Sequence, residues 1–245
     1  MEITKTVLSY EKIEESSEKL PVIIVAAGSS TRMQGTNKQF LELKGVPVLI
    51  RTVSKFQQSE FIGSIILVVK SEDVLKVQKL CEEYELTKVS DIVAGGDSRT
   101  ASVKNGLSAI AKGERCVLIH DGGRPFVTQK IIGDVVKALN TCDCALAAIK
   151  AIDTVKQTDN ESTVVKTLDR EKIYLAQTPQ GVNIAKYRFA INSLNAEEYT
   201  DDASVMEKMG YKCVVCEGSP LNIKITKPED IIIANAIAEA EEEEK

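Results

Sequence analysis

The sequence predicts an α/β fold: a mostly parallel sheet with helices on both faces. Three observations carry that expectation. Short apolar runs rich in Val, Ile and Leu recur along the 245 residues. Segments with helical apolar spacing lie between most of them. Polar, glycine-bearing stretches fall at or just after the ends of the runs. Strands alternating with helices imply a parallel sheet covered on both sides. Right-handed crossovers then gather the loops after the strands along one edge, where open α/β folds bind ligands.

The elements follow in order. Residues 1–20 are polar and charge-mixed and read as an extension outside the core; residues 21–245 read as one domain. Strands are expected at about 22–27, 64–69, 88–93, 115–119, 143–149 and 211–217. Helical spacing marks 46–56, 74–84, 101–110 and 131–139. The stretch 151–180 has no helical period. Within it, 154–157 and 163–167 alternate like two short strands around the polar turn 158–162, a hairpin pattern. So small a hairpin is marginal alone. It is expected to form an arm over 151–175 that packs on something else, a second subunit being one candidate. A last helix, 228–240, begins at a proline suited to a first helical turn.

Composition narrows the function. Hydrophobic content of 43% and charged content of 27% describe an ordinary globular balance. The formal net charge is −5, most of it supplied by the acidic run 241–244. An acidic chain without basic blocks argues against nonspecific nucleic-acid binding. No apolar run approaches the roughly 20 residues that cross a bilayer, and the N-terminus has no apolar signal core. A cytoplasmic protein is expected. Six cysteines include a C-x-x-C at Cys213 and Cys216. These lie in a strand-like stretch, where positions i and i+3 face opposite sides. Reduced thiols are favoured over zinc or disulfides.

The most informative stretch is VIIVAAGSSTRMQGTNKQFLELKG, residues 22–45. An apolar strand runs into Ala26, Ala27, Gly28, Ser29 and Ser30, with Arg32 and Lys38 close behind. Small residues let a backbone approach a phosphate, and free N–H groups in such a turn hold anions. Two cations beside it suit a polyphosphate. The Walker loop fits poorly, because Met33 stands where its second glycine belongs. The dinucleotide fingerprint also fails, at Ser30 and Met33. An ordinary strand-to-helix connection with solvated cations is the plainer alternative.

Four more polar clusters stand at expected strand ends: GGDSRTASVKNGL from Gly95, HDGGRPF from His120, TDDAS from Thr200 and NIKIT from Asn222. Five such loops on one edge favour a binding site over coincidence. Asp121 follows a buried strand, where a carboxylate suits Mg²⁺ held jointly with phosphate oxygens; a turn or helix cap is the alternative. Arg124 is placed to fork onto a phosphate or to form a surface ion pair. Asp97 and Ser98 are balanced between capping the next helix and touching a ligand. His120, the only histidine, reads as structural rather than as a base.

AAGSSTRM, NKQF, GGDSRTASVKNGL, HDGGRPF, AQTPQ, TDDAS and NIKITKPED occur in this order over about 22–240. The set resembles the 2-C-methyl-D-erythritol 4-phosphate cytidylyltransferase family of the non-mevalonate isoprenoid pathway. That resemblance implies a Rossmann-like sheet of about seven strands, a β-arm swapped across a homodimer, and the joining of CTP to methylerythritol phosphate with release of pyrophosphate. It implies that Arg32 and Lys38 stabilise the transition state. Ala26, Ala27, Gly28, Gly96, Asp97 and Ser102 would hold CTP, with Gly123 and Arg124 lining the site and Asp121 holding Mg²⁺. Thr154, Arg170, Thr200 and Lys224 would place the second substrate, Arg170 coming from the partner subunit. The chain departs from the family pattern at Asn37, commonly Pro, in a loop one residue shorter, and at Gly123, usually Ala.

Ribitol 5-phosphate cytidylyltransferases share the CTP loops. They more often resemble H-D-S-V-R-P-F where this chain has HDGGRPF, which is closer to the isoprenoid pattern. A sugar-1-phosphate nucleotidyltransferase fits T-P-Q and N-I-K-I-T poorly. A dinucleotide oxidoreductase would need the missing glycines. A silent scaffold would not need Arg32, Lys38, Asp121 and Lys224 together.

Overall fold

The computed structural model describes residues 19–28, 38–194 and 199–243. Arg32 and nearly all of the N-terminal extension lie outside the described residues. In chain order the elements are β1 (Leu20–Val25), the small pair β2 (Glu42–Leu43) and β3 (Val46–Pro47), α1 (Val48–Gln57), β4 (Ile62–Val69), α2 (Val74–Glu83) and β5 (Val89–Ala94). Next come α3 (Arg99–Ala109), β6 (Cys116–Asp121), α4 (Gln129–Ala138), β7 (Cys144–Lys150), the hairpin β8 (Lys156–Thr158) and β9 (Val164–Thr167), and β10 (Tyr174–Asn183). The chain continues through α5 (Ile184–Ser193), α6 (Asp202–Lys208), β11 (Cys213–Glu217) and α7 (Pro228–Glu243).

Seven strands form one sheet in the order β11-β7-β10-β6-β1-β4-β5. All neighbours pair in parallel except β10, which runs antiparallel to both β6 and β7. The period-2 alternation of a strand sends successive side chains to opposite faces. Thus Val22 and Ile24 of β1 enter the core under α1, α2 and α4, while Ile23 enters the core under α3, α5 and α6. Leu49, Val53 and Phe56 come from α1 at helical spacing, and Ile131, Ile132 and Val135 from α4. Each fully buried side chain of this kind contributes about 1.5–3 kcal/mol relative to exposure. Cys213 packs on one face and Cys216 on the other, as the strand period requires.

Three elements were not foreseen. The missing seventh strand is β10, whose Gln177, Thr178, Pro179 and Gln180 are buried. Its pairing with β7 slips between Ala176 and Gln180, so the proline, which cannot donate to a ladder, sits in an irregularity. The polar side chains are satisfied by tertiary partners. Gln180 accepts from Ala203 N–H at 2.9 Å and donates to Asp201 at 2.9 Å. Those bonds anchor α6, capped by Asp201 accepting from Ser204 N–H. Helices α5 and α6 lacked a clear apolar period in the sequence.

Helix α7 is longer than the expected 228–240. Its acidic end docks on cations of the β2–β3 turn and α1: Glu239 on Lys44 at 3.1 Å, Glu241 on Lys55 at 2.8 Å and Glu242 on Arg51 at 3.0 Å. Residues Ala234 and Ala238 pack beneath with Leu43, Val48 and Ile225. The helix thereby holds the 222–226 loop against the sheet edge. The hairpin β8–β9 forms where expected, shifted by two residues in its first strand, and every residue of both strands is exposed.

Candidate functional site

The cleft lies at the C-terminal ends of the parallel strands. β1 delivers Ala26, Ala27 and Gly28. Ala26 N–H donates to the Val68 carbonyl at 2.7 Å, which fixes where the turn leaves the sheet. β5 delivers Gly95, and here only a glycine fits: a Cβ would lie 2.3 Å from the Ala27 Cβ and 2.9 Å from Ser102 Oγ. The two strand-end turns can therefore touch. Ser102 Oγ accepts from Gly96 N–H at 3.1 Å, and Ser98 Oγ caps α3 by accepting from Ala101 N–H at 3.0 Å. The cap that competed with ligand contact at Ser98 is thus formed, while Ser98 and Asp97 both line the cleft.

The cleft encloses about 490 Å³. Of the residues singled out in the sequence, Ala27, Gly28, Lys38, Gly96, Asp97, Ser102, Asp121, Gly123 and Lys224 line it. Ala26 is buried just behind the β1 turn. Arg124 points away from the cleft: it donates to the Asn222 carbonyl at 2.8 Å and pairs with Asp121 at 3.5 Å. Thr154, Arg170 and Thr200 stand outside the cleft of this chain, all three exposed, with Arg170 bonded to the Ile152 carbonyl at 2.8 Å. Arg32 falls outside the described residues. Arg99, Lys70, Gln39 and Thr226 also line the cleft, and sequence reasoning passed over them. Arg99 stood inside a quoted motif, and Lys70 follows a strand end much as Gly122 does, so the strand-end rule would have found both.

Asp121 is the electrostatic centre. Its Oδ2 meets Lys224 Nζ at 2.8 Å and Arg124 Nε at 3.5 Å; its Oδ1 faces Arg99 Nε at 3.9 Å. Burial alone would raise its pKa, but Lys224, then Arg99 and Arg124, hold it well below the usual carboxylate range. The acid is therefore ionised at any physiological pH. Lys38 Nζ donates to the Ile225 carbonyl at 2.8 Å. A Cβ on Gly123 would sit 3.3 Å from that ammonium, so the glycine lets Lys38 lie against the Asp121 turn.

Beneath the site, His120 is fully buried. Its Nε2 lies 3.2 Å from the Arg124 carbonyl, an acceptor only, so this nitrogen carries the proton. Nδ1 then accepts from Thr178 Oγ1 at 3.0 Å, and that hydroxyl accepts from Asp121 N–H at 3.1 Å. Burial lowers the imidazole pKa to about 4. His120 is a neutral strut that fixes the backbone around Asp121.

An open sheet that brings several cations and one ionised carboxylate to its strand ends suits chemistry dominated by charge neutralisation. Together with the small-residue turn after β1, the fold and cleft are those of a nucleotidyltransferase. Comparison with known proteins narrows this. The family model for 2-C-methyl-D-erythritol 4-phosphate cytidylyltransferase matches residues 20–240. A protein of that name from Syntrophus aciditrophicus is 43% identical over 228 residues, 91% of this chain and 97% of the relative. One from Halalkalibacterium halodurans is 40% identical over 219 residues, 88% of this chain and 95% of its own. The crystal structure of 4-diphosphocytidyl-2C-methyl-D-erythritol synthase from Anaerococcus prevotii superposes with TM-score 0.81 at 32% identity, over 91% of this chain and 97% of that one. The chain belongs to the 2-C-methyl-D-erythritol 4-phosphate cytidylyltransferase family. It is an enzyme of the nucleotidyltransferase class, and the ribitol phosphate alternative is not favoured.

The buried neutral imidazole gives a pH dependence with a definite sign. Between pH 6.5 and about 4 the unfolded chain binds a proton at His120 and the native chain does not. Stability is complete above pH 6.5 and falls as the pH drops through that window, by about 1.4 kcal/mol per pH unit. Urea unfolding in chelator-containing buffer should show a loss of about 2 kcal/mol between pH 6.5 and 5. The single imidazole NMR signal should remain that of the neutral ring at pH 5. Titration of that signal near pH 6.5 would contradict the strut.

Proposed function

We propose that the cleft brings the phosphate of 2-C-methyl-D-erythritol 4-phosphate onto the α-phosphorus of CTP. A phosphate oxygen attacks in line, a new P–O bond forms, and the bond to the β-phosphate oxygen breaks as pyrophosphate leaves. The observation that supports this best is the two cations Lys38 and Lys224 sharing one cleft with an ionised carboxylate, Asp121, at the strand ends. The attacking phosphate is already an anion near pH 7, so no general base is needed. His120 is buried with both ring nitrogens engaged and has no proton to exchange with substrate. What remains is to bring two anions together, a matter of positioning and charge neutralisation.

In this reading the Ala26, Ala27 and Gly28 turn and the turn from Gly96 to Ser102 hold the nucleotide. Lys38 stabilises charge on the triphosphate, with Arg32 assigned the same role by the family resemblance. Gly123 admits Lys38, and Arg124 secures the Asp121 turn. Lys224 places the attacking phosphate. The donor set fits Mg²⁺: Asp121 lines the cleft and offers the hard carboxylate oxygen that this ion takes together with phosphate oxygens. When bound, the ion would neutralise phosphate charge from Asp121.

Residues 21–245 act in this reading as one domain, with 151–175 as an arm. That arm exposes Ile152, Val164 and Val165, and a two-stranded hairpin is marginal unsupported. We take it to pack on a second copy, carrying Thr154 and Arg170 toward the partner's cleft beside Thr200 and Lys224. The cytoplasm, where CTP and free thiols persist, is the expected compartment. Among the described residues no helix is long and apolar enough to cross a membrane.

Pyrophosphate release should require CTP, Mg²⁺ and methylerythritol 4-phosphate together, and be abolished by chelator. Release with ribitol 5-phosphate instead would move the enzyme to the other polyol. Lys38→Ala should keep its melting temperature and lose on the order of 10²–10³ in kcat, by analogy with a lost oxyanion donor; a near-normal rate would remove Lys38 from its role. Light scattering should give twice the 26.8 kDa chain mass, and a fully active monomer would sink the arm assignment.

A further inference from the structure

Arg99 lines the cleft, and the proposed reaction does not specify its role. It is the first residue of α3, directly after the Ser98 cap. Its two terminal nitrogens fork onto Asp202, Nη1 to Oδ1 at 3.0 Å and Nη2 to Oδ2 at 2.6 Å. Asp202 is 1% exposed. The Tyr187 hydroxyl donates to the same carboxylate, its pKa pushed up by burial and by the Asp202 charge, so it stays protonated. The third nitrogen of the guanidinium, Nε, faces Asp121 Oδ1 at 3.9 Å. Burial works against the Arg99 charge, but Asp202 foremost and then Asp121 raise its pKa above the ordinary guanidinium value.

We propose that Arg99 is a positioning residue for the nucleotide: its fork onto Asp202 pins the turn from Gly95 to Ser98 against α6 and sets that turn's distance from Asp121. The inference rests on the reading of the cleft as a CTP site. It follows from what each end of the fork is attached to. On one side the Ser98 cap and the Ser102–Gly96 bond make the turn and the start of α3 a single rigid piece. On the other side Asp202 belongs to a helix bolted to β10 by two side-chain bonds of Gln180. Without the fork, this side-chain link from the turn across to α6 is lost. The bidentate geometry is specific to arginine, because a lysine presents one point charge and cannot hold both carboxylate oxygens in a plane. The fork takes one N–H of each Nη group; in this proposal Arg99 acts on the nucleotide through the turn that the fork holds.

Two variants test this. Arg99→Lys keeps the charge and loses the fork. The double variant Arg99→Gln with Asp202→Asn removes both charges, so no buried ion is left unpaired and folding is protected. CTP affinity is read by calorimetry, and KM for each substrate, kcat and melting temperature are read alongside. Both variants should weaken CTP binding and raise KM for CTP by about tenfold, as loss of pre-organisation does. KM for methylerythritol phosphate should stay within about twofold and kcat within about threefold. Unchanged CTP affinity in both variants overturns the proposal. So does a fall in kcat at constant KM, which a direct transition-state contact would produce, or a lower melting temperature with CTP affinity unchanged, which a merely structural pair would produce. Wild-type protein that binds no CTP overturns the functional reading itself, and the inference with it.

Discussion

The carboxylate of Asp121 at the end of β6 is the constraint on which the site depends. β6 lies between β1 and β10, and its last residue, Asp121, is buried. An ionised acid there costs several kcal/mol in lost hydration unless it is paired. Lys224, Arg124 and Arg99 supply that pairing from the loop before α7, from the same turn, and from the start of α3. Each cation therefore both neutralises Asp121 and ties a different segment to the cleft.

Support extends below the cleft through hydrogen bonds, with the Phe56 ring packed edge-on against His120 at 4.7 Å between centroids. The chain from the Arg124 carbonyl through His120 and Thr178 to Asp121 N–H crosses from β6 to β10. Asn222 joins it by donating to the Thr178 carbonyl at 2.9 Å while accepting from Arg124. The imidazole, hydroxyl and amide groups of this network are paired, while Asn222 Oδ1 is buried without a hydrogen-bond partner among the described residues. The network fixes the relation between the Asp121 turn and the loop that carries Lys224, both of which line the cleft.

Helix α7 secures the same loop from outside. Asp230 accepts from Thr226 N–H and Lys227 N–H, closing the first turn, and three ion pairs, that of Lys55 and Glu241 part-buried, fasten its far end to α1 and the β2–β3 turn. Single surface pairs contribute little. Three on one helix face, beside the buried Ala234 and Ala238, select one docking register.

The sequence by itself determined the parallel sheet, five of its helices, the hairpin and four of the five polar loops expected at the cleft; the fifth, from Thr200, follows α5 rather than a strand and does not line it. These are set by local periodicity, by small residues such as Gly95 at points of close approach, and by position relative to strand ends. Only the tertiary structure decided three things. β10 is a strand because Gln177, Thr178 and Gln180 find partners remote in sequence, which no local pattern encodes. Arg124 braces the site instead of lining it because Asn222 and Asp121 lie within its reach. Arg99 enters the cleft because Asp202, 103 positions later, offers both oxygens to its fork. Polar and charged side chains acquire their roles from partners, and folding alone chooses the partners.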